Sequence, residues 1–401
     1  RCLKKWILYI RSGTIRTGGS GKKGKKMRDL AELRLEIDKI DRQMVELFEQ
    51  RMGISREVAE YKVAVGKRIL DKERENQKIE AVKALTHNEF NRHGVEELYK
   101  QLMAMSRKLQ YQLMEEQALG RLPFVMVDKL EKENVRVVYQ GVDGAYAQQA
   151  MFAFFGENVN HFHVERWRDA MDAIAEGMAD YAVLPIENST AGIVNDNYDL
   201  LEEYDNYIVG EQILSIQHAL LGTPDAELSD IRTVYSHPQG LMQCARYLDE
   251  HRDWKQISLL NTAMAAQKVA EEHDKSQAAI ASTLAAKQYG LKVLEEGSNR
   301  SGGNSTRFLI VTNQPIFCRD AEKVSICFEV THESGCLYNV LSHFIYNNLN
   351  MCRIESRPIA DRNWEYHFFV DFEGNLNDSA VKNALRGIRE EALNLKILGN
   401  Y

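Results

Sequence analysis

Apolar positions recur at helical spacing through the first hundred or so residues and in short strand-like runs from about residue 135 onward. No proline occurs before Pro123. The stripe Leu33, Ile37, Ile40, Met44 and Leu47 has the 4-3-4-3 spacing of a helix packed along another helix. Three helices are predicted: one over 29–65, ended by Gly66, a shorter one starting near Asp71, and a third over 95–117 with Leu98, Leu102, Met105 and Leu109 inward. The first would be about 50 Å long at 1.5 Å per residue, more than two short partners can bury. That excess predicts an intertwined dimer that supplies the missing apolar surface.

From residue 135 the grammar changes. Runs at 135–139, 181–186, 232–235, 278–281 and 307–311 read as buried strands, separated by amphipathic stretches such as 166–177 and 241–250. An α/β region over 135–312 is long enough for two small lobes with a cleft at strand C-termini, where open α/β sheets bind ligands. Residues 324–401 read strand (324–330), helix (337–348), strand (351–358), strand (365–372), helix (379–393) and strand (395–398), a ferredoxin-like order. The expected organisation is multidomain: a tail over 1–26, an all-α region over 27–117, a linker over 118–134, the α/β region, a linker over 313–323 and an α+β region.

Composition narrows the class. Charged residues make up 27% and hydrophobic ones 44%, with 6 Pro and 25 Gly in 401 residues, which excludes collagen-like or wholly disordered chains. No 18-residue apolar run is present, so no membrane span is expected. Six cysteines without a CxxC pair, and no HExxH spacing, predict reduced thiols in a cytoplasmic setting and neither a metal nor another cofactor. Residues 1–26 hold nine Lys/Arg and no acid, leaving 42 cations against 58 acids, a net −16, for the rest. This tail reads as Gly/Ser/Lys-rich disorder, with a nucleic-acid arm as the alternative, and Met27 as a natural start. The acidic body argues against a nucleic-acid partner.

The stripe of the first helix continues into cations. Arg51, Ser55, Val58 and Lys62 fall at i, i+4, i+7 and i+11, and two cations on an inward face need an anion. The second helix adds Asp71, Arg74 and Glu75, and the third adds Ser106 and Gln110 at i, i+4. One reading is a dimerisation module with snorkelling Arg and Lys stems; the other is a polar pocket for a small dianion. Over about residues 29–112 these positions resemble the helical chorismate mutase domain at the front of bifunctional P-proteins. By that resemblance Arg51 and a second copy's Arg34 would hold the substrate carboxylates, and Lys62 and Gln110 would face the ether oxygen. Asp71, Glu75 and Ser106 would fix the ring hydroxyl and the remaining carboxylate contact. A Claisen rearrangement needs no nucleophile or general base, only a folded substrate and donors aimed at the oxygen that gains charge.

In the α/β region, polar motifs cluster at strand ends: Gly141-Val-Asp-Gly-Ala-Tyr146, Pro185-Ile-Glu-Asn-Ser-Thr-Ala-Gly192, Tyr235-Ser-His-Pro-Gln239 and Asn304-Ser-Thr-Arg-Phe308. Gly141 and Gly144 do not complete a GxGxxG fingerprint, which leaves the dinucleotide reading unsupported. His237 could be a general base, but a His before Pro at a helix start is more often structural. Hydroxyls and amides near helix N-termini suit carboxylate binding. Taken in this order, the four motifs resemble prephenate dehydratase, whose domain is a two-lobed α/β unit similar to type II periplasmic binding proteins. The resemblance makes Thr306 the essential residue, acting on the departing ring hydroxyl, with Asn188, Ser236 and Gln243 orienting the substrate.

Gly335-Cys-Leu-Tyr338 opens a helix and Glu355-Ser-Arg-Pro358 ends a strand, a pair of motifs resembling the ACT regulatory domain. It would bind L-phenylalanine through Gly335, Leu337, Glu355, Ser356, Arg357 and Pro358; Cys336 and Tyr338 depart from the usual Ala and Val. The resemblances together imply a bifunctional enzyme taking chorismate to prephenate and then to phenylpyruvate, inhibited by phenylalanine, as a homodimer or higher oligomer without nucleic-acid or membrane partners. The alternative is a non-catalytic aromatic amino-acid sensor with a helical dimerisation module.

Overall fold

The computed structural model describes residues 28–67, 69–115, 122–297, 303–359 and 362–401. The basic tail and the proposed start at Met27 lie outside them. Two compact units emerge, Arg1–Glu57 and Val58–Tyr401. Helix α1 (Leu30–Ala64) carries the boundary within its length. In the first unit the apolar stripe of α1 is exposed on the single chain, with Ile37 and Ile40 each at 55% and Leu47 at 63%.

The second unit begins with the end of α1, then α2 (Lys72–Lys83) and α3 (Glu89–Glu115). Asp71 caps α2 by accepting from the Arg74 amide at 3.0 Å, which supplies one of the unpaired first-turn N–H groups. Helix α3 starts six residues before the expected Val95, because Asn88 accepts from the Asn91 amide at 2.7 Å and Gly94 continues the helix instead of breaking it. Among the described residues no helix is long and apolar enough to cross a membrane.

The α/β region holds two sheets. The first lobe contributes β1 (Arg136–Gln140), β2 (Asn160–Val164), β3 (Tyr181–Asn188) and β4 (Tyr207–Ser215), with helices α4 (Tyr146–Phe155), α5 (Trp167–Ala175) and α6 (Asn195–Glu203). The chain crosses to the second lobe after β4. There β5 (Ala219–Gly222), β6 (Thr233–Ser236), β7 (Lys255–Ser258), β8 (Gln277–Ala281) and β9 (Lys292–Glu295) form a sheet in the order β9-β5-β8-β6-β7. It packs against α7 (Pro238–Gln243), α8 (Thr262–Glu272) and α9 (Thr283–Tyr289). The chain then returns as β10 (Ser305–Thr312), which lies antiparallel between β4 and β3. The amphipathic stretch 241–250 is not one helix: it breaks at Cys244, whose backbone leaves the helical region (φ −99°, ψ 9°). Each sheet buries apolar side chains on both faces, Val138, Leu184 and Val311 on one side of the first lobe against Val137, Val183 and Ile310 on the other.

The C-terminal region runs β11 (Lys323–Glu329), α10 (Cys336–Tyr346), β12 (Met351–Pro358), β13 (Tyr366–Glu373), α11 (Ser379–Glu391) and β14 (Leu393–Asn400), with strands ordered β12-β13-β11-β14. That is the split βαβ arrangement read from the sequence. Its sheet is not isolated. Strand β14 joins β4 through the pair Gly399–Ile208, so first lobe and C-terminal sheet are continuous. Gly399 makes this possible, since a Cβ there would sit 2.0 Å from the Ile208 carbonyl oxygen.

Candidate active and effector sites

The return strand β10 decides the geometry of the cleft. Its register sets Thr306 opposite Asn188 on β3 and Leu214 on β4. The loop after β3 turns tightly around Asn188, whose Oδ1 accepts from the Thr190 and Ala191 amides at 3.0 and 2.8 Å and from the Thr190 hydroxyl at 2.8 Å. An oxygen held by that many donors fixes the amide plane. Its Nδ2 must then face the other way, and donates to Thr306 Oγ1 at 2.8 Å and to Asn304 Oδ1 at 2.9 Å. Because Thr306 accepts this bond, its own O–H remains available as a donor. Gln243, at the end of α7 in the second lobe, donates to Thr190 Oγ1 at 2.7 Å and so joins the cluster across the cleft.

Ser236 stands apart from this set. It is fully buried, and its hydroxyl donates to the Ile280 carbonyl at 2.7 Å, bracing β6 against β8. It serves the floor of the second lobe in this structure and does not face the cleft with the others. His237 caps α7, its Nδ1 accepting from the Gln239 amide at 3.2 Å, which is the structural role expected of a His before Pro. Two residues not singled out from sequence belong to the cluster. Asn304 is buried with its Nδ2 lacking a protein partner, and His218 is buried on the crossing between lobes. Asn304 opens the Asn304–Phe308 motif, while nothing in the run around His218 marked it.

The helical set divides by unit. In the first unit lie Arg34 and Arg51, with the Ser55 hydroxyl donating to the Arg51 carbonyl at 3.0 Å. The second unit holds Lys62, Asp71, Glu75, Ser106 and Gln110. Lys62 donates to the Ile69 carbonyl at 2.5 Å, and its pKa is lowered by burial against the pull of Asp71 and Glu75. Ser106 donates to the Leu102 carbonyl at 2.8 Å, and Gln110 is buried with Oε1 unpartnered among protein groups. Arg107 was missed: its position on α3 gave no periodic signal. It grips both Glu75 oxygens at 2.6 and 2.5 Å and reaches Glu391 on α11 at 2.7 Å. Tyr111 donates to Glu390 of the same helix. Burial disfavours the charge on Glu391, but His343 and Arg107 prevail and hold its pKa down at about 2.

At the C-terminal region a cavity of about 570 Å³ opens beside the start of α10, lined by Gly335, Leu337, Tyr338, Trp364, Tyr366 and Phe368 among others. Gly335 has φ +84° and open space where a Cβ would go, so its backbone conformation, not close packing, selects glycine. The Glu355–Pro358 strand end does not line this cavity on the same chain. Arg357 is instead engaged by Asp199 at 2.6 and 3.1 Å, and Arg353 by Glu187 at 2.6 Å. The sequence motifs therefore do not meet around one cavity within one chain.

Fold and cleft together define a chain with a helical region followed by a two-lobed α/β region whose cleft is lined by neutral amides and hydroxyls. Comparison makes the class specific. Residues 33–111 match the chorismate mutase type II family and residues 137–316 the prephenate dehydratase family. The chain is 31% identical over 378 residues to a bifunctional chorismate mutase/prephenate dehydratase of Aquifex aeolicus, covering 94% of this chain and 98% of that one. A prephenate dehydratase from Arthrobacter aurescens, solved in complex with L-Phe, is 28% identical with a TM-score of 0.62, over 67% of this chain and 89% of that one. A chain described as a quorum quenching acylase aligns with the same TM-score at 30% identity, over 66% of this chain and 97% of that one. The chain belongs to the family of bifunctional chorismate mutase/prephenate dehydratases. It is an enzyme with an isomerase and a lyase region, in phenylalanine biosynthesis.

Proposed function

We propose that each region carries its reaction through the residues assigned above and that L-phenylalanine bound to the C-terminal region restrains the dehydratase. In the mutase, Arg51 and Arg34 of a second copy hold the carboxylates of chorismate, and Lys62 and Gln110 donate to the ether oxygen as it gains charge. Asp71, Glu75 and Ser106 orient the ring hydroxyl. The exposed apolar stripe of α1 supports a dimer, since a face of that size on a soluble chain is a surface to be covered. In the dehydratase, Thr306 donates its free O–H to the leaving ring hydroxyl while Asn188 and Gln243 orient the substrate. Asn304 Nδ2, buried without a partner, adds a donor for a substrate carboxylate. The observation that carries this reading is the Asn188–Thr306 hydrogen bond, whose direction leaves the threonine proton for the substrate.

The C-terminal region is an ACT domain whose cavity at Gly335 and Leu337 takes phenylalanine, completed by Glu355, Ser356, Arg357 and Pro358 from a second copy. Its hold on the cleft is physical. Arg307, the neighbour of Thr306, bonds Asp371 on β13 at 2.8 Å, Glu211 on β4 at 2.7 Å and the Tyr401 hydroxyl at 2.6 Å. Glu187 of the Asn188 motif bonds Arg353 on β12. An effector that favours one arrangement of these strands acts on the cleft from a distance. The reducing cytoplasm suits the five unpaired cysteines among the described residues.

The test is to give the purified chain chorismate and follow both prephenate and phenylpyruvate, which should appear in that order. Calorimetry of phenylalanine with and without a non-reacting prephenate analogue should show each weakening the other's binding by one common factor. Equal phenylalanine affinity in both titrations would remove the coupling.

A further inference from the structure

His218 lies on the short crossing from β4 to β5, 3% exposed, and faces two polar groups with its two ring nitrogens. Nε2 is 2.8 Å from Gln243 Oε1, and Nδ1 is 2.7 Å from the hydroxyl of Tyr146, the last residue of the first cleft motif. We propose that His218 and Tyr146 are positioning residues of the dehydratase: they fix the side-chain amide of Gln243 so that its NH2, and not its oxygen, is presented to the anionic substrate. The inference rests on the assignment of Gln243 to the substrate.

A glutamine amide is nearly symmetric in shape, so its neighbours must choose its orientation. If the oxygen of Gln243 faced the cleft, it would meet a dianion with a partial negative charge. Thr190 gives its O–H to Asn188 Oδ1, so it accepts from Gln243 Nε2 and turns Oε1 toward His218; the ring proton then sits on Nε2, and Nδ1 accepts from the Tyr146 O–H, a hydrogen shared with the Gln217 carbonyl. With the oxygen held, the Nε2 end points outward: one hydrogen goes to Thr190 Oγ1 at 2.7 Å, and the second remains for a carboxylate. Burial lowers the pKa of His218, which keeps the ring neutral and the arrangement single-valued at neutral pH. Amides do not pass protons along readily, so the chain from Tyr146 to Thr190 orients a donor and does not deliver a proton. The Tyr146 hydroxyl also lies 2.9 Å from the Gln217 carbonyl, so losing His218 leaves the tyrosine a partner.

The test is steady-state kinetics on prephenate for His218→Leu, His218→Gln, Tyr146→Phe, Gln243→Leu and the double variant His218→Leu/Gln243→Leu, with mutase turnover of the same samples reporting folding. A carboxylate contact is present before and during reaction, so its loss should raise KM more than it lowers kcat. His218→Leu should raise KM about 10- to 100-fold, the worth of one hydrogen bond to a charged group. Tyr146→Phe should raise it less, and His218→Gln, which keeps a donor in reach of Oε1, should recover most of the loss. In the Gln243→Leu background the His218 change should add nothing. Multiplying effects in the double variant, or no rescue by His218→Gln, overturns the inference while leaving Gln243 in its role. A silent Gln243→Leu removes the assignment of Gln243, and the inference with it.

Discussion

On the proposed assignments, the mutase and dehydratase regions would bind closely related dianions with opposite kinds of side chain. The cations proposed for the mutase are Arg34, Arg51 and Lys62, and Glu75 is clasped by Arg107. The cleft offers neutral dipoles held by one another, from Asn188 and Thr306 to Gln243 and His218. The difference follows from what each transition state does with charge. Rearrangement builds negative charge on an ether oxygen, and cations and donors aimed there act directly. Decarboxylating dehydration discharges the substrate, so a permanently charged wall would favour the starting dianion, and a set of oriented neutral donors holds it without that bias.

On this contrast the largest single effect belongs to Thr306. Thr306→Ala should lower dehydratase kcat by more than about 10³-fold with prephenate KM nearly unchanged, since the hydroxyl acts on the leaving group and not on ground-state affinity. A variant that only raised KM would remove Thr306 from the chemistry and blur the contrast between the two sites. Next comes the mutase. Gln110→Ala should cut its turnover by about 10² to 10³, the scale for losing one preorganised donor, while added prephenate is still converted. Parallel loss of both activities in a folded variant would show that the two sites are not separate.

Legibility in the sequence also divides along this line. Helical periodicity placed α1 within a residue of its ends at Leu30 and Ala64, and C-terminal strand β12 at Met351–Pro358 was read without error. Each of these elements carries one apolar and one polar face, so its pattern is local. Strands β4 and β5 were not anticipated, because the run from Tyr207 to Ser215 is interrupted by Gly210-Glu-Gln and becomes a strand only when β10 returns beside it. His218 lies between them and was lost with them. Arg107 escaped for a different reason: its two partners, Glu75 and Glu391, are 32 and 284 residues away, and no spacing rule reaches that far. Dehydratase motifs were visible as motifs, but Ser236 shows that membership in one does not say which way a hydroxyl points.

The smallest expected effect concerns how the mutase region is tied to the C-terminal region. Glu391 on α11 accepts from Arg107 and lies 3.3 Å from His343 Nε2, and its pKa in the folded chain is about 2. A carboxylate whose folded pKa is depressed contributes stability that is fully present above its unfolded value and is lost as pH falls toward the folded one. Glu391 should therefore stabilise the fold above about pH 5, and this contribution should fade between about pH 4.5 and 2. At roughly 1.4 kcal/mol per unit, the depression corresponds to about 3 kcal/mol in this nearly buried setting. Glu391→Gln should unfold at lower urea than the parent at pH 7, and the gap between the two should narrow steadily below pH 4.5. A gap that stayed constant with pH would mean that the carboxylate charge is not what Arg107 holds, and the clasp on Glu75 would then owe its stability to the arginine's packing between α3 and α11 and not to the C-terminal carboxylate.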